Sequence, residues 1–361
     1  MTTISVPLKT NSYSIIVGKN ILPQLGTSLK SLSLGQDAVI MTHPWLLRRY
    51  GAGLKKTLEQ NGFSCSVFLV PEGEKSKSVK TAFHLIEKIA RHDVFKRPFI
   101  VAFGGGVIGD LAGFVAATYK RGVPYVQVPT SFLAQIDCAI GGKVAIDLKF
   151  GKNLVGAFYQ PRCVYSDVAL LSTLPQRQLR NGLAEAIKYG IIDDPKLFDY
   201  IESHCEKLLR GNLNSLLKVV VKSSQIKAKV VSQDEKETKG IRTILNFGHT
   251  VGHAIEAAGQ YRVYQHGEAI ALGMRIASRI SRDLGMLSQK NFERIDGLLT
   301  KAGLPKTIQK IKVNQILKMM KHDKKFIAGK NRFVLAKQIG KVHVVEGIDL
   351  KIIQRAISVC A

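Results

Sequence analysis

The chain has 361 residues, 45% hydrophobic and 22% charged, a balance that excludes a disordered protein and gives enough length for two globular domains. Its formal net charge of +26 comes from lysines spread through nearly every segment, with peaks at 218–229 and 321–325 but no nucleic-acid motif; it argues against specific nucleic-acid binding and for a field that draws phosphorylated small molecules. The N-terminus lacks a basic start leading into an apolar run, the most apolar long stretch (99–119) holds Asp110 and five glycines, and Cys65, Cys138, Cys163, Cys205 and Cys360 are scattered with no Cys-x-x-Cys; these features argue against a signal peptide, a membrane span and a zinc knuckle, and the expectation is a cytoplasmic protein.

Residues 3–17 alternate as two short strands, and a βα pattern follows. Strands are expected at 37–42, 66–70, 99–103 and 125–129, with helices at 46–61, 79–92 and 111–119 between them. Short apolar strands alternating with helical runs predict a parallel, doubly wound sheet. In such a sheet ligands sit at the carboxyl ends of the strands. Those ends are Pro71-Glu-Gly-Glu-Lys75, the glycine-rich Gly104-Gly-Gly-Val-Ile-Gly-Asp110, and Thr130-Ser131.

Gly104 to Gly109 satisfies Gly-x-Gly-x-x-Gly. Such glycines let backbone approach a pyrophosphate, and the N-terminus of the following helix offers free N–H groups. This loop follows the third βα strand, however, and no acid stands about twenty residues later, so it is not the usual dinucleotide fingerprint. Glu72 is the candidate ribose partner; a tight turn that simply needs glycine is the alternative. Residues 137–161 are dense in polar groups, with Lys143 and Lys152 beside glycines, a pattern that suits anions as well as solvated loops.

From 171–175 onward helices dominate. Glu185 and Lys188 lie one turn apart on a mostly apolar helix, where an i, i+3 ion pair is the plain explanation. A lysine-rich helix over 215–231 and a charged turn over 234–239 lead to Arg242. Three of the nine histidines, His249, His253 and His266, then fall within 245–274. His249 and His253, four apart, share a helical face, and His266 opens a second helix after a polar break; imidazoles meeting there suit zinc if an acid arrives from elsewhere. Helices at 292–299 and 313–320, a loop from His322, a hairpin of 333–335 with 341–345, and a helix over 350–359 complete the chain.

The ordered set Pro71-Glu-Gly-Glu-Lys, Gly104-Gly-Gly-Val-Ile-Gly-Asp, Tyr119-Lys-Arg-Gly, Gln127-Val-Pro-Thr-Ser, Gly141-Gly-Lys, Gly151-Lys-Asn, Gly182-Leu-Ala-Glu-Ala-Ile-Lys-Tyr-Gly, Leu245-Asn-Phe-Gly-His-Thr-Val-Gly-His-Ala-Ile-Glu, His266-Gly-Glu-Ala and Asp323-Lys-Lys resembles the 3-dehydroquinate synthase family over almost the whole chain. The resemblance implies a Rossmann-like α/β NAD-binding domain over 1–172 and a helix-dominated metal- and substrate-binding domain over 173–361. It implies NAD, a divalent metal (usually zinc, with cobalt as the alternative), a homodimer, and the second step of the shikimate pathway: 3-deoxy-D-arabino-heptulosonate 7-phosphate to 3-dehydroquinate and phosphate. Carried over motif by motif, the metal ligands are Glu185, His249 and His266; the pairing of His249 with His253 that spacing suggests gives way, and His253 passes to the substrate. Lys143, Asn153, Lys227, Arg242, Asn246 and Lys324 match positions that hold the substrate's phosphate, carboxylate and hydroxyls, with Asp137 and Lys188 as further contacts. Lys324 is interchangeable with Lys325. Arg121 matches a residue that reaches the neighbouring subunit's site. NAD contacts map to Glu72, Gly73, Glu74, Lys75, Lys77, Gly105, Gly106, Val107, Ile108, Gly109, Asp110, Thr130, Ser131, Lys143, Lys152 and Thr173.

The chain departs from the family pattern at Thr42-His43-Pro44-Trp45, at Val144 after Lys143, and at Asp147, where asparagine is commoner. Rival readings are another sugar phosphate cyclase, a metal-dependent NAD alcohol or glycerol-phosphate dehydrogenase, and a basic nucleic-acid-binding protein built on a degenerate enzyme core.

Overall fold

The computed structural model describes residues 1–93, 97–321 and 331–361. They form two compact units, Met1–Leu174 with Leu216–Lys236, and Pro175–Ser215 with Glu237–Ala361.

The first unit opens with an antiparallel pair, β1 (Thr2–Val6) and β2 (Tyr13–Gly18), then α1 (Leu25–Lys30). There follow β3 (Asp37–Thr42), α2 (Pro44–Glu59), β4 (Ser64–Leu69), α3 (Val79–His92), β5 (Pro98–Gly104), α4 (Gly106–Thr118) and β6 (Tyr125–Pro129). A two-stranded hairpin, β7 (Lys143–Leu148) and β8 (Gly151–Phe158), precedes β9 (Cys163–Asp167). The main sheet runs β1-β2-β9-β6-β5-β3-β4, parallel throughout except for β1. Strand order reverses between β3 and β5, which makes their carboxyl ends the switch-point crevice of a Rossmann-like sheet.

Two apolar layers hold this sheet, and strand alternation builds both. Ala38, Ile40, Phe99, Val101 and Phe103 face one side, where Leu25, Leu29, Leu54 and Leu58 of α1 and α2 cover them. Val39, Met41, Ile100 and Ala102 face the other, against Leu85 and Ile89 of α3 and Leu111 and Val115 of α4. Successive side chains on a strand point to opposite faces, so a strand covered on both sides is apolar at every position; all seven residues of β5 are buried.

The predicted strands and helices of this unit are present, with three differences. The helix after the glycine run starts at Gly106 rather than 111, so Gly105 caps it and Gly106 and Gly109 lie in its first turn. Helix propensity disfavours them there, but close packing requires them: a Cβ on Gly109 would stand 2.7 Å from Gln127 Oε1. Residues 143–158 form a hairpin rather than a loop. The strand β9 lies between β2 and β6 where polar Ser166 and Asp167 mask its pattern; Asp167 accepts N–H groups from Asn20 (2.9 Å) and Leu22 (2.8 Å).

The second unit is helical, with α5 (Gln176–Ile192), α6 (Pro195–Leu209), α8 (His249–Ala258), α9 (His266–Asp283), α10 (Gln289–Lys301), α11 (Val313–Lys321), the hairpin β10 (Arg332–Gln338) and β11 (Lys341–Glu346), and α12 (Leu350–Ser358). Between them in sequence, α7 (Leu213–Gln233) contributes its residues from Leu216 onward to the first unit. Helix α6 was not among the expected elements, although Asp194 caps it by accepting from the Lys196 and Leu197 N–H groups and Pro195 opens it. Helices α8 and α9 meet through glycine: a Cβ on Gly248 would lie 2.6 Å from Met274 Cγ, and one on Gly273 would overlap the Gly248 carbonyl oxygen.

Candidate active site

One stripe of α5 builds the acid side of the site. Arg177, Asn181 and Glu185 follow at intervals of four, so they share a helical face. Each meets the start of α9: Arg177 donates to both oxygens of Glu268 at 2.7 Å, Asn181 Oδ1 accepts the Gly267 N–H, and Glu185 Oε1 lies 3.5 Å from His266 Nε2. Glu268 also accepts from the Gln265 N–H at 2.8 Å in a capping box, which sets where α9 begins. His266 is therefore held at a helix start fixed from two sides.

His249 opens α8 after Gly248, whose φ of 78° is left-handed. Its Nδ1 faces the Phe247 carbonyl at 3.1 Å, so Nδ1 carries the proton and Nε2 points its lone pair at Glu185 Oε1, 3.5 Å away. His266 is arranged alike, with Nδ1 3.2 Å from Glu256 Oε2. Ligand atoms of Glu185, His249 and His266 all lie within 4.8 Å of one another. Metal–ligand bonds of ~2.0–2.2 Å in a tetrahedron keep ligand atoms about 3.4 Å apart, close to both 3.5 Å separations. A carbonyl or carboxylate behind each imidazole is the outer-shell arrangement that fixes a metal-binding tautomer. The donor set thus fits a zinc-class ion.

Electrostatics agree. Glu185 is fully buried and its Oε2 contacts the Lys188 ammonium, itself 1% exposed; an isolated buried carboxylate would cost several kcal/mol, on the order given by ion desolvation. Burial opposes charge on His266, but Glu185 and Glu256 outweigh it and raise its pKa to about 10. The two acids call for positive charge at this point.

A second group, His253, Glu256 and His266, also satisfies ligand distances. It shares His266, whose Nδ1 faces Glu256 at 3.2 Å. His249, His253 and Glu256 stand on one face of α8, and the His249 and His253 rings are 5.1 Å apart, edge to face. His253 is exposed, whereas Glu185 and His249 are buried. Arg242 and Asn246 lie on the short turn Ile241–Asn246 before α8; Arg242 is 2% exposed with Glu237 3.4 Å away. Lys324 and Lys325 lie outside the described residues.

In the first unit a separate polar cluster gathers by the switch point. Lys77, 4% exposed, donates to Asp110 Oδ2 at 2.5 Å and to Asn153 Oδ1. Burial alone would lower its pKa, but Asp110, then Glu74 and Asp147, hold it above the usual lysine value. Glu74 lies 4.0 Å from Lys77 and 3.7 Å from Lys152. Gly105 and Gly106 clear space beside Ser131 and Cys138, where added Cβ atoms would come within 3.3 and 3.2 Å. Val107 is half-buried, Ile108 is core, and the Thr130 N–H ties to the Gly104 carbonyl at 3.0 Å. Glu72, Gly73 and Lys75 are exposed on the loop after β4, the edge strand. Thr173 hydrogen-bonds Tyr50 at 3.1 Å. Lys227 Nζ meets both the carbonyl and the carboxylate of Asp137 at 2.6 Å. Lys143 and Arg121 are exposed. Arg121 and Lys120 are both left-handed (φ 64° and 48°), and Lys120 is tied to Asp93 at 2.6 Å.

Sequence reasoning gave no role to Glu256, although its spacing of seven from His249 places it on the same helical face. Asp147 stands out in the sequence only as a departure from the family pattern.

Residues 67–181 match the family model described as 3-dehydroquinate synthase N-terminal, and residues 182–326 the one described as 3-dehydroquinate synthase C-terminal. A 3-dehydroquinate synthase of Desulforamulus reducens is 44% identical over 349 residues, 96% of this chain and 97% of that protein. One from Thermoanaerobacter sp. is 45% identical over 345 residues, covering 96% and 97%. Among solved structures, a 2-deoxy-scyllo-inosose synthase complexed with carbaglucose-6-phosphate, NAD+ and Co2+ superposes with a TM-score of 0.88 at 26% identity over the whole of both chains. A 2-epi-5-epi-valiolone synthase of Streptomyces hygroscopicus with NAD+ and Zn2+ gives 0.89 at 25%, covering 98% of each. An iron-containing alcohol dehydrogenase, at 0.68 and 16% over 98% of this chain and 99% of that one, shares the fold.

Proposed function

The chain belongs to the 3-dehydroquinate synthase family, and from that membership we propose that it converts 3-deoxy-D-arabino-heptulosonate 7-phosphate into 3-dehydroquinate and phosphate. The observation that carries the reading is the Glu185–His249–His266 group, with Glu185 and His249 buried and each imidazole oriented from behind. When bound, a divalent metal on these three ligands would supply a Lewis acid and NAD a hydride acceptor that is restored by the end of the cycle, making the reaction redox-neutral. Two solved relatives that carry NAD+ with Co2+ or Zn2+ support both groups.

The chain's own residues then hold and orient. Lys188 pairs with Glu185 inside the helix layer. His253, exposed beside the ligands, offers an imidazole for substrate hydroxyls. Arg242 and Asn246 read a carboxylate, and Lys143, Asn153, Lys227 and Asp137 hold phosphate and hydroxyls. Glu74, Lys77, Asp110, Lys152 and the Gly105–Gly106 turn serve the dinucleotide, with Glu72, Gly73, Lys75, Thr130, Ser131 and Thr173 around them. Phosphate elimination needs a ketone beside the C–H that is lost, and ring closure is an intramolecular aldol step; fixing one conformer after another supplies much of such a reaction's rate.

A homodimer belongs to the same proposal. Strand β8 pairs only with β7 among the described residues and leaves Leu154, Val155 and Phe158 38–48% exposed. A second copy covers this apolar edge and brings Arg121 to its neighbour. Among the described residues no helix is long and apolar enough to cross a membrane, and we place the enzyme in the cytoplasm.

The test supplies heptulosonate phosphate with catalytic NAD and follows phosphate release before and after chelation. Release is expected to stop with the metal and return on its addition. Undiminished release from protein proven metal-free would refute the reading, and stoichiometric NADH would make the protein a dehydrogenase.

A further inference from the structure

We propose that Asp147 is a positioning residue: it locks Asn153 in a left-handed backbone conformation and thereby fixes where the Asn153 amide and the Lys77 ammonium stand. The inference rests on the reading above, in which Asn153 touches substrate.

Three hydrogen bonds close a ring. The Asp147 N–H donates to the Lys77 carbonyl at 2.8 Å. The Lys77 ammonium donates to Asn153 Oδ1. The Asn153 N–H donates to Asp147 Oδ1 at 2.8 Å. Asp147 is free to do this because the β7–β8 register shifts between Ile146 and Leu148, which takes it out of the hairpin ladder. It forms instead an isolated parallel bridge with Ser78, next to Lys77. The bulge is thus pinned by its backbone to the segment that carries Lys77 and by its side chain to the segment that carries Asn153.

The need for a lock lies in Asn153 itself, whose φ is 56°. Left-handed backbone is disfavoured for L-residues, and asparagine tolerates it best among those with a side chain. Strain of this kind persists where surrounding contacts over-determine it, and it clusters at binding sites. Asp110 grips Lys77 from the other side at 2.5 Å. Without the carboxylate of Asp147, Asn153 is free to relax toward negative φ and swing its amide away from Lys77. An asparagine at 147 retains the accepting Oδ1 and with it the lock.

The experiment compares Asp147→Ala, Asp147→Asn, Asn153→Ala and the Asp147→Ala/Asn153→Ala double variant. It measures KM and kcat for heptulosonate phosphate, its calorimetric affinity with NAD present, and Tm. Asp147→Ala is expected to raise KM and the dissociation constant about tenfold, the scale of one lost interaction, with kcat moving less. Asp147→Asn is expected to stay within about threefold of the parent, and the double variant to be no worse than Asn153→Ala, because the two act as a unit. Equal damage from alanine and asparagine at 147, additive effects in the double variant, or a fall in Tm with unmoved KM and affinity would overturn the proposal. A parent protein that binds heptulosonate phosphate without turnover would sink the proposed reaction, and the calorimetric comparison would still decide the role of Asp147. Absence of any binding would overturn both.

Discussion

Glu256 offers the sharpest test of how the histidines divide their work. It stands 3.2 Å behind His266 Nδ1 and is 7% exposed. If it orients His266, then Glu256→Ala leaves all three ligands in place and removes only the support of one. Loss of such an outer-shell partner weakens metal affinity by ~10–100-fold, equivalent to about 1.4–2.7 kcal/mol at 1.36 kcal/mol per tenfold. Glu256→Gln keeps an acceptor for the Nδ1 proton and is expected at or below the mild end of that range. His249→Ala removes a ligand and is expected to empty the site, whereas His253→Ala keeps metal and loses turnover. The assay is a chelator-competition titration with zinc and with cobalt, read as metal per chain and as cobalt absorption. The reasoning fails if Glu256→Ala and His253→Ala lose metal while His249→Ala retains it, because the ion would then sit on the His253–Glu256–His266 group. It also fails if Glu256→Ala changes affinity less than twofold.

Three further outcomes are expected. Burial works to raise the pKa of Asp93, but hydrogen bonds from Lys120 and Tyr119 hold it below the usual carboxylate value, so its contribution to stability is full above the unfolded value near pH 4 and is lost as pH falls through the lower folded one. Urea midpoints between pH 6 and pH 3 should show a shallower acid-side loss in Asp93→Asn, and identical acid limbs would refute the assignment. Gly273→Ala drives a Cβ onto the Gly248 carbonyl, backbone that cannot turn aside, and should cost about 1–3 kcal/mol of stability with a matching fall in Tm; an unchanged Tm would mean that α8 and α9 part at no cost. The pair Val155→Asp and Phe158→Asp should yield monomers in sedimentation experiments, and a persisting dimer would place the interface elsewhere than β8.

Much of the first unit was legible because its physics is local. Buried parallel strands are short apolar runs, so β3, β5 and β6 stand out, and α3 was expected at its observed bounds, with the Ser78 side chain accepting the Thr81 N–H at its start. What failed were places where tertiary packing overrides local preference. The start of α4 is made of glycines because Gln127 and Cys138 crowd it, and β9 hides because Ser166 and Asp167 are buried polar residues, Asp167 held by long-range hydrogen bonds from Asn20 and Leu22. In the site, helical spacing pairs His249 with His253; Glu185, a carboxylate on an apolar helix far upstream, is a candidate acid from the residues alone, and motif resemblance makes it the third ligand in place of His253. The roles of Glu256 and Asp147 needed coordinates, since each acts on another side chain across a turn or a bulge.

The division of the chain sets a timetable for its synthesis. The first unit ends its early run at Leu174 but takes back Leu216–Lys236, whose Ser224 and Lys227 reach Gln135 and Asp137. A nascent chain at residue 174 therefore carries a sheet whose last helix does not yet exist. At ~5–20 residues per second, the wait to residue 236 is roughly 3–12 s, while residues 175–215 emerge with partners that come later still. During that interval apolar surface awaiting Leu216, Val219 and Val220, all fully buried in the finished protein, stands open to chaperones. Expression of residues 1–174 alone would make that transient vulnerability permanent.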